Sequence, residues 1–330
     1  MPREDVGSDI DAYLQTKLLE LSRPELDRAA KQADRLFIFA ATVVRYLMLR
    51  CSITWQEQST LLEKLLSRKS ASGAMQPLLI DELYQHILRQ AFSNLSEDIF
   101  RERLHILHTF LCTIECTSTS VTAALLSEPD EEIVNAVLRD LHAVLYCKDG
   151  QVLWYHASFP DFIFTHTRSK FELDGHQIDM SCNKAEQHAL LTKACFNIML
   201  SDDSGLHFNI GEISSSIILD AEDKKLTTCI NTNISAVLKY ASGYWASHLA
   251  QTGQLTDSND LIDHISNFLH IHILFWIEAM HLLGSSGQCN IMLQHAREWV
   301  LKVKEFIALH VLHISNASWS ECNQSIRACC

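Results

Sequence analysis

Residues that break regular structure are scarce in this chain. Glycine occurs 10 times and proline 5 times in 330 residues. Average usage would give roughly 23 and 16. Few tight turns are available, so an all-β sandwich or barrel is disfavoured and long helices are favoured. Glycine-dependent motifs are missing with the glycines. There is no G-x-x-x-x-G-K-[ST], no G-x-G-x-x-G, no G-x-S-x-G and no D-x-D-x-D-G calcium loop, and no H-E-x-x-H either. The chain therefore carries no complete catalytic or nucleotide-hydrolysing motif, and the expectation is a protein that is not an enzyme. Positive charge is also in deficit. The 27 Lys+Arg stand against 40 Asp+Glu, a balance of −13. No long basic run offsets it, so bulk electrostatics oppose nonspecific binding to nucleic acid or anionic lipid. Residues 1–10 hold acids and no apolar core, so no signal peptide is visible. The longest apolar run, residues 36–44, is far short of a membrane span. The 11 cysteines include no C-x-x-C pair. That is not a disulfide framework, and a reducing, cytoplasmic setting is expected.

What is present is apolar and periodic. A hydrophobic share of 47% and a charged share of 20% fit a folded protein of two or three domains. Residues 9–66 read as helices, with Ile10, Leu14, Leu18 and Leu21 on a first face. A longer helix is expected over 26–49. Its centre, LFIFAATVVRYL, is apolar nearly all round and should be buried on most sides. Residues 67–76 read as a linker. Pro77 opens the next helix, with Leu79, Leu83, Ile87 and Ala91 in line. Another follows over 96–113, with Ile99, Arg103, Leu107 and Phe110 in one stripe. Shorter helices are expected over 118–126 and 131–145, the second with Ile133, Val137 and Leu141 inward. The period then changes. AVLYC and QVLWYH flank Lys148-Asp149-Gly150, which signals a β-hairpin. From residue 179 onward the pattern is helical again, over 183–200, 230–249, 261–283 and 288–312. No internal repeat is visible.

Three constellations invite chemistry. His105, His108 and Cys112 share a helical face and could ligate zinc, but flanking leucines favour a core, and no metal site is expected. Asp202-Asp203 and Asp260/Asp263 could hold magnesium in a helical metal-dependent enzyme; loop and helix-cap roles explain them more simply. Helices 118–126 and 131–145 look like a helix-turn-helix, yet the second begins Asp130-Glu131-Glu132, which opposes contact with phosphate. The hairpin exit, residues 154–163 (WYHASFPDFI), is the most informative stretch. Packing explains it first, with Phe159 and Phe162 as core, Ser158 as a cap and His156 as an interior histidine.

A functional alternative comes from resemblance. YHASFPDFIF resembles the His-x-Ser-Phe-x-Glu/Asp-Phe element that ends the winged helix of NACHT-type signalling NTPases of the STAND class. LFIFAATVVRYL resembles the helix closing the NACHT ATPase core. LIDELYQHILRQAF and VLRDLHAVLYCKDGQVLWYHASFPDFIF look like the linker helix and winged helix of basidiomycete fungal NACHT proteins with WD repeats. HALLTKACFNIM, LHFNI and NISAVLKYASGYWASHL are similar to the helical region before those repeats. The resemblance spans roughly residues 9–305. It implies that His156 senses the β-phosphate of bound ADP, supported by Ser158, Phe159, Asp161 and Phe162.

Two family parts have no counterpart here, the P-loop and the WD repeats. The chain reads as a fragment lacking both, with ADP or ATP bound only in a full-length relative and no cofactor of its own. The expected fold is mainly α, with helical bundle segments around a winged-helix domain carrying a small β-hairpin. Residues 1–70 would be a remnant of the ATPase lid, 78–170 the winged helix, and 171–330 a helical bundle. The expected function is a non-catalytic regulatory and protein-interaction module, coupling nucleotide state to sensor and oligomerisation. The alternatives are a nucleotide-sensing module acting in trans with an NTPase subunit, and the metal-dependent enzyme above. Protein partners are expected, without nucleic acid or membrane.

Overall fold

A computed structural model of the chain describes residues 5–48, 54–66, 79–126, 130–173, 175–213, 225–253 and 258–315. The fold is mainly helical, with two small antiparallel hairpins. It divides into two compact units. One comprises residues 1–123 with 128–183, the other residues 124–127 with 184–330. The expected linker over 67–76 and the N1 proline at 77 lie outside the described residues.

The first unit opens with α1 (Asp5–Lys17), α2 (Arg23–Ala33), α3 (Phe37–Met48) and α4 (Trp55–Leu66). The first apolar face forms as read, since Ile10, Leu14, Leu18 and Leu21 are all buried. The single helix expected over 26–49 does not form. Asp34 and Arg35 both take positive φ, at 42° and 64°, and break it into α2 and α3. Aspartate tolerates this left-handed conformation better than most residues. The break turns α3 so that Phe39, Ala40, Val43, Val44 and Leu47 are buried together, which the all-round apolar pattern demanded. α2 starts on Ser22, whose N–H donates to the Glu25 carboxylate at 2.8 Å. Arg28 pairs with Glu63 and ties α2 to α4.

Next come α5 (Leu79–Phe92), α6 (Glu97–Cys112), α7 (Thr119–Leu126) and α8 (Glu131–Asp140). Ser96 and Thr113 cap α6, matching the sequence reading. The stripe on α6 is narrower than expected, because Ile99 is exposed while Leu107 and Phe110 are buried. α8 is shorter than expected. It ends at Asp140, with Leu141 as its C-cap, because Ala143, Val144 and Leu145 leave the helix to be buried on the way into a strand. Its inward residues are Val134, Val137 and Leu141, with Ile133 half-buried.

The first hairpin pairs β1 (Leu145–Lys148) with β2 (Gln151–Trp154), Leu145 opposite Trp154. Asp149 and Gly150 form its two-residue loop, with φ of 53° and 78°. Two positive φ values define the turn whose twist matches paired strands, and Asp-Gly is its preferred pair. α9 (Ser158–Ile163) follows. A second hairpin, absent from the sequence reading, pairs β3 (Lys170–Leu173) with β4 (His176–Asp179).

The second unit holds α10 (Lys184–Met199), α11 (Leu226–Asn233), α12 (Ala236–Gln251), α13 (Ser258–Asn267), α14 (Ile273–Leu282) and α15 (Cys289–Ser315). α10 packs along α12, and α12 packs on α15. The run expected over 230–249 is interrupted at Ile234. Ser235 then starts α12 by accepting the Leu238 N–H at 3.2 Å. The run expected over 261–283 contains a π-helical turn, Phe268–His272, between α13 and α14. Phe196, Trp245, Phe268 and Trp276 form an aromatic core, with ring centroids 5.2 to 5.9 Å apart. Each such ring stabilises by about 1.5–3 kcal/mol through burial, and each ring pair adds about 0.5–1.5 kcal/mol.

Candidate functional site

The hairpin exit is built on the first unit's core. Phe159 and Phe162 of α9 are buried. Both rings meet the Tyr84 ring of α5 edge-on, with centroids at 5.2 and 5.6 Å. Tyr84 is 1% exposed, and burial raises its phenol pKa, opposed by a hydrogen bond to Ser158. One turn before Tyr84, Asp81 is buried and accepts two hydrogen bonds from Arg168, at 2.9 and 2.6 Å. The pair fastens α5 to the chain leaving α9. Its hydrogen bond raises the pKa of Arg168, with Asp161 adding to the field.

His156 sits at the free edge of this core. It is exposed, so the packing expectation of an interior histidine is corrected. Ser158 is the first residue of α9, and Ala157 occupies the cap position expected for it. The hydroxyl of Ser158 turns back to His156 instead. Its Oγ lies 2.8 Å from His156 Nδ1, and its main-chain N–H donates to the same Nδ1 at 3.1 Å. A main-chain N–H can only donate, so Nδ1 carries no proton. Ser158 Oγ must then donate to Nδ1, and the Tyr84 hydroxyl, 2.8 Å from Ser158 Oγ, must donate to Ser158. This relay runs from Tyr84 through Ser158 to His156. It leaves Nε2–H as the imidazole's outward donor.

Next to His156, Tyr155 stacks on Tyr146 at 4.4 Å. The Arg45 guanidinium of α3 lies 4.0 Å above the Tyr155 ring. Arg45 also donates to the Ala143 carbonyl at 3.1 Å and to Thr42 Oγ1 at 2.9 Å. Burial lowers its pKa, and the groups that oppose the shift are tyrosines. The motif residues are thus partly brought together. His156, Ser158, Phe159 and Phe162 converge with Tyr84, while Asp161 is exposed on the other side of α9. Arg45, Tyr84 and the Asp81–Arg168 pair escaped the sequence reading. Arg45 lies 98 positions from Ala143, Tyr84 lies 74 from Ser158, and Asp81 lies 87 from Arg168. No local spacing reveals such contacts.

The other constellations serve the core or the surface. His105 is exposed, whereas His108 and Cys112 are buried on partners of their own. His108 Nε2 donates to the Met180 carbonyl at 3.1 Å. Burial pushes its pKa down to about 4. Asp202 and Asp203 are exposed in a turn, and Asp263 is exposed on α13. Asp260 pairs with Lys193 and with His264. Among the described residues, no three His, Cys, Asp or Glu side chains cluster as metal ligands would.

The second unit contains its own buried polar group. His188 and His248 are 4% and 0% exposed, with their Nδ1 atoms 2.8 Å apart. One ring must donate and the other accept. Tyr240 closes the chain at 2.9 Å from His248 Nε2. Burial pushes the two pKa values down to about 4 and about 3. A cleft of about 160 Å³ lies beside Gly253, His295, Trp299 and Lys302. Ligand pockets for drug-sized molecules run to roughly 300–1,000 Å³, so this cleft is too small for a nucleotide. Among the described residues, no helix is long and apolar enough to cross a membrane. Compared with family models, curated proteins and solved structures, the chain matches none.

Proposed function

We propose that this chain is a non-catalytic regulatory module of a NACHT-type signalling protein, with His156 as its nucleotide-sensing contact. In this reading residues 78–170, from α5 through the first hairpin to α9, are the winged helix, and residues 171–330 are the helical region that relays its state to protein partners. The observation that carries the proposal is the relay behind His156. Two donors hold Nδ1, so Nε2–H is fixed as an outward hydrogen-bond donor on an exposed ring. A phosphate oxygen accepts from such a donor. The guanidinium of Arg45 lies over the ring of Tyr155, the residue before His156, and adds a cation to this exit. The missing glycine-rich cradle limits what the chain can do alone. In this reading the cradle comes from another segment or subunit.

Calorimetry with ADP and ATP on the purified chain tests this. The expected result is binding no tighter than millimolar, with the His156 ring resonances shifting as ADP is titrated. Ring resonances that stay fixed throughout a millimolar titration would remove the sensing role. Micromolar ADP binding that is lost in His156→Ala favours the second reading, in which the chain senses nucleotide in trans with an NTPase subunit. That reading rests on the same outward Nε2–H.

A further inference from the structure

A pair of thiols is buried in the first unit. Cys112 ends α6, and Cys182 follows β4. Each is 4% exposed, and their Sγ atoms are 3.7 Å apart. The approach is dictated by geometry on both sides. On α6, His108 and Cys112 are one turn apart, a rise of about 6 Å. On the facing extended segment, Met180 and Cys182 are two residues apart, a rise of about 6.6 Å. The two spacings match. His108 Nε2 therefore meets the Met180 carbonyl at 3.1 Å while Cys112 meets Cys182. Backbone bonds hold the extended segment in place. Met180 N–H donates to Ser169 O at 3.1 Å, and Cys182 N–H donates to Ile163 O at 3.0 Å.

We propose that Cys112 and Cys182 form a reversible disulfide under peroxide, a redox-modification site that ties α6 to the exit of the second hairpin. A disulfide needs an S–S distance of about 2.05 Å, so the sulfurs must close by roughly 1.6 Å, within reach of side-chain rotation. Hydrogen peroxide is the oxidant, and it is small enough to reach a buried pair. The thiolate of one cysteine attacks an oxygen of peroxide and breaks the O–O bond, giving a sulfenic acid and hydroxide. The second thiolate attacks the sulfenic sulfur and expels a second hydroxide. The two thiol protons neutralise the two hydroxides. Overall, two thiols and one peroxide give one disulfide and two waters, and the peroxide takes up the two electrons that sulfur loses. Thiol reductants reverse the step by exchange.

Peptide mapping of the full chain checks this. The chain is exposed to peroxide, alkylated, and digested without reduction. The peptide 171–184, whose cysteine is Cys182, is expected joined to the peptide 104–139 at Cys112, two hydrogens lighter than the separate pair. The link is expected to persist in Cys116→Ser, to vanish in Cys112→Ala and Cys182→Ala, and to be cleaved by dithiothreitol. The oxidised chain is expected to melt higher than the reduced one. Helical content measured before treatment shows whether each variant is folded, and the wild-type map stands on its own if one is not. A wild-type map in which both thiols remain free to alkylate after unfolding overturns the proposal. So does a map that links Cys182 to Cys116 or to any other cysteine.

Discussion

Arg168 shows how much one side chain can hold. The carboxylate of Asp81 is 3% exposed and accepts both hydrogen bonds from this arginine. Removing Arg168 leaves a buried charge without a partner, which costs about 3–5 kcal/mol in comparable pairs. Arg168→Met is therefore expected to lower the urea midpoint of the first unit strongly. The double change Asp81→Asn with Arg168→Met removes the charge as well and is expected to recover much of the loss. A single variant that unfolds like the parent chain contradicts this account of the pair. The same logic separates anchor from reporter at the hairpin exit. Phe159, Phe162 and Tyr84 hold the site, whereas His156 is exposed and stabilises little. His156→Ala should leave the fold intact, which makes it a clean probe of binding.

Between elements, close approach sets the sharpest limits. Gly205 follows α10, and a Cβ there would lie 2.4 Å from the Ser201 carbonyl oxygen and 2.7 Å from that of Met199. Both obstacles are backbone and cannot rotate away. Gly150, in the first hairpin loop, has open space around its missing Cβ. There an added methyl costs only the left-handed φ, about 1–2 kcal/mol. Gly205→Ala is expected to destabilise more than Gly150→Ala, measured as the shift in urea midpoint followed by far-ultraviolet circular dichroism. Equal shifts refute the crowding argument.

The two hairpins show what the sequence can reveal at this scale. Alternating β-rich residues around Asp149-Gly150 gave the first in advance. The second carried the same signal, since FEL and HQI flank Asp174-Gly175. It stands out less because its strands contribute a single core residue, Phe171, where the first hairpin buries Leu145 and Val152. The helices were legible where apolar spacing continued, as in α5, α6 and α10. The break between α2 and α3 is not legible, because it comes from backbone conformation at Asp34 and Arg35 and leaves no apolar gap. At the candidate site His156 and its Phe neighbours could be found by local pattern. Arg45 and Tyr84 could not, because they reach the site only through folding.

Across the whole chain, buried histidines couple stability to acidity in both units. His108 lies in the first unit, and His188 and His248 lie in the second. Burial is the leading cause in all three, and it lowers their pKa values from 6.5 to about 4, about 4 and about 3. A folded-state pKa below the unfolded value means that the unfolded chain binds more protons as pH falls. The stability these groups provide is complete above pH 6.5. It declines as the pH drops below that value and is gone once the folded values near 4 and 3 are passed. Urea titrations at a series of pH values should therefore show midpoints that fall steadily from pH 6.5 towards 4. Midpoints that hold level across that window would falsify the neutral, buried assignment.

The π-helical turn in the second unit carries a further consequence. Phe268 and Trp276 are both fully buried in one aromatic core, yet they are eight residues apart. Eight residues of regular helix make about 2.2 turns, which would leave the two rings roughly 80° out of line. The wider turn at Phe268–His272 absorbs about one residue and brings Trp276 back to the face of Phe268. The helix thus contains one residue of slack. α13 and α14 keep two separate reading frames on a single rod, and the insertion between them lets both frames address the same core.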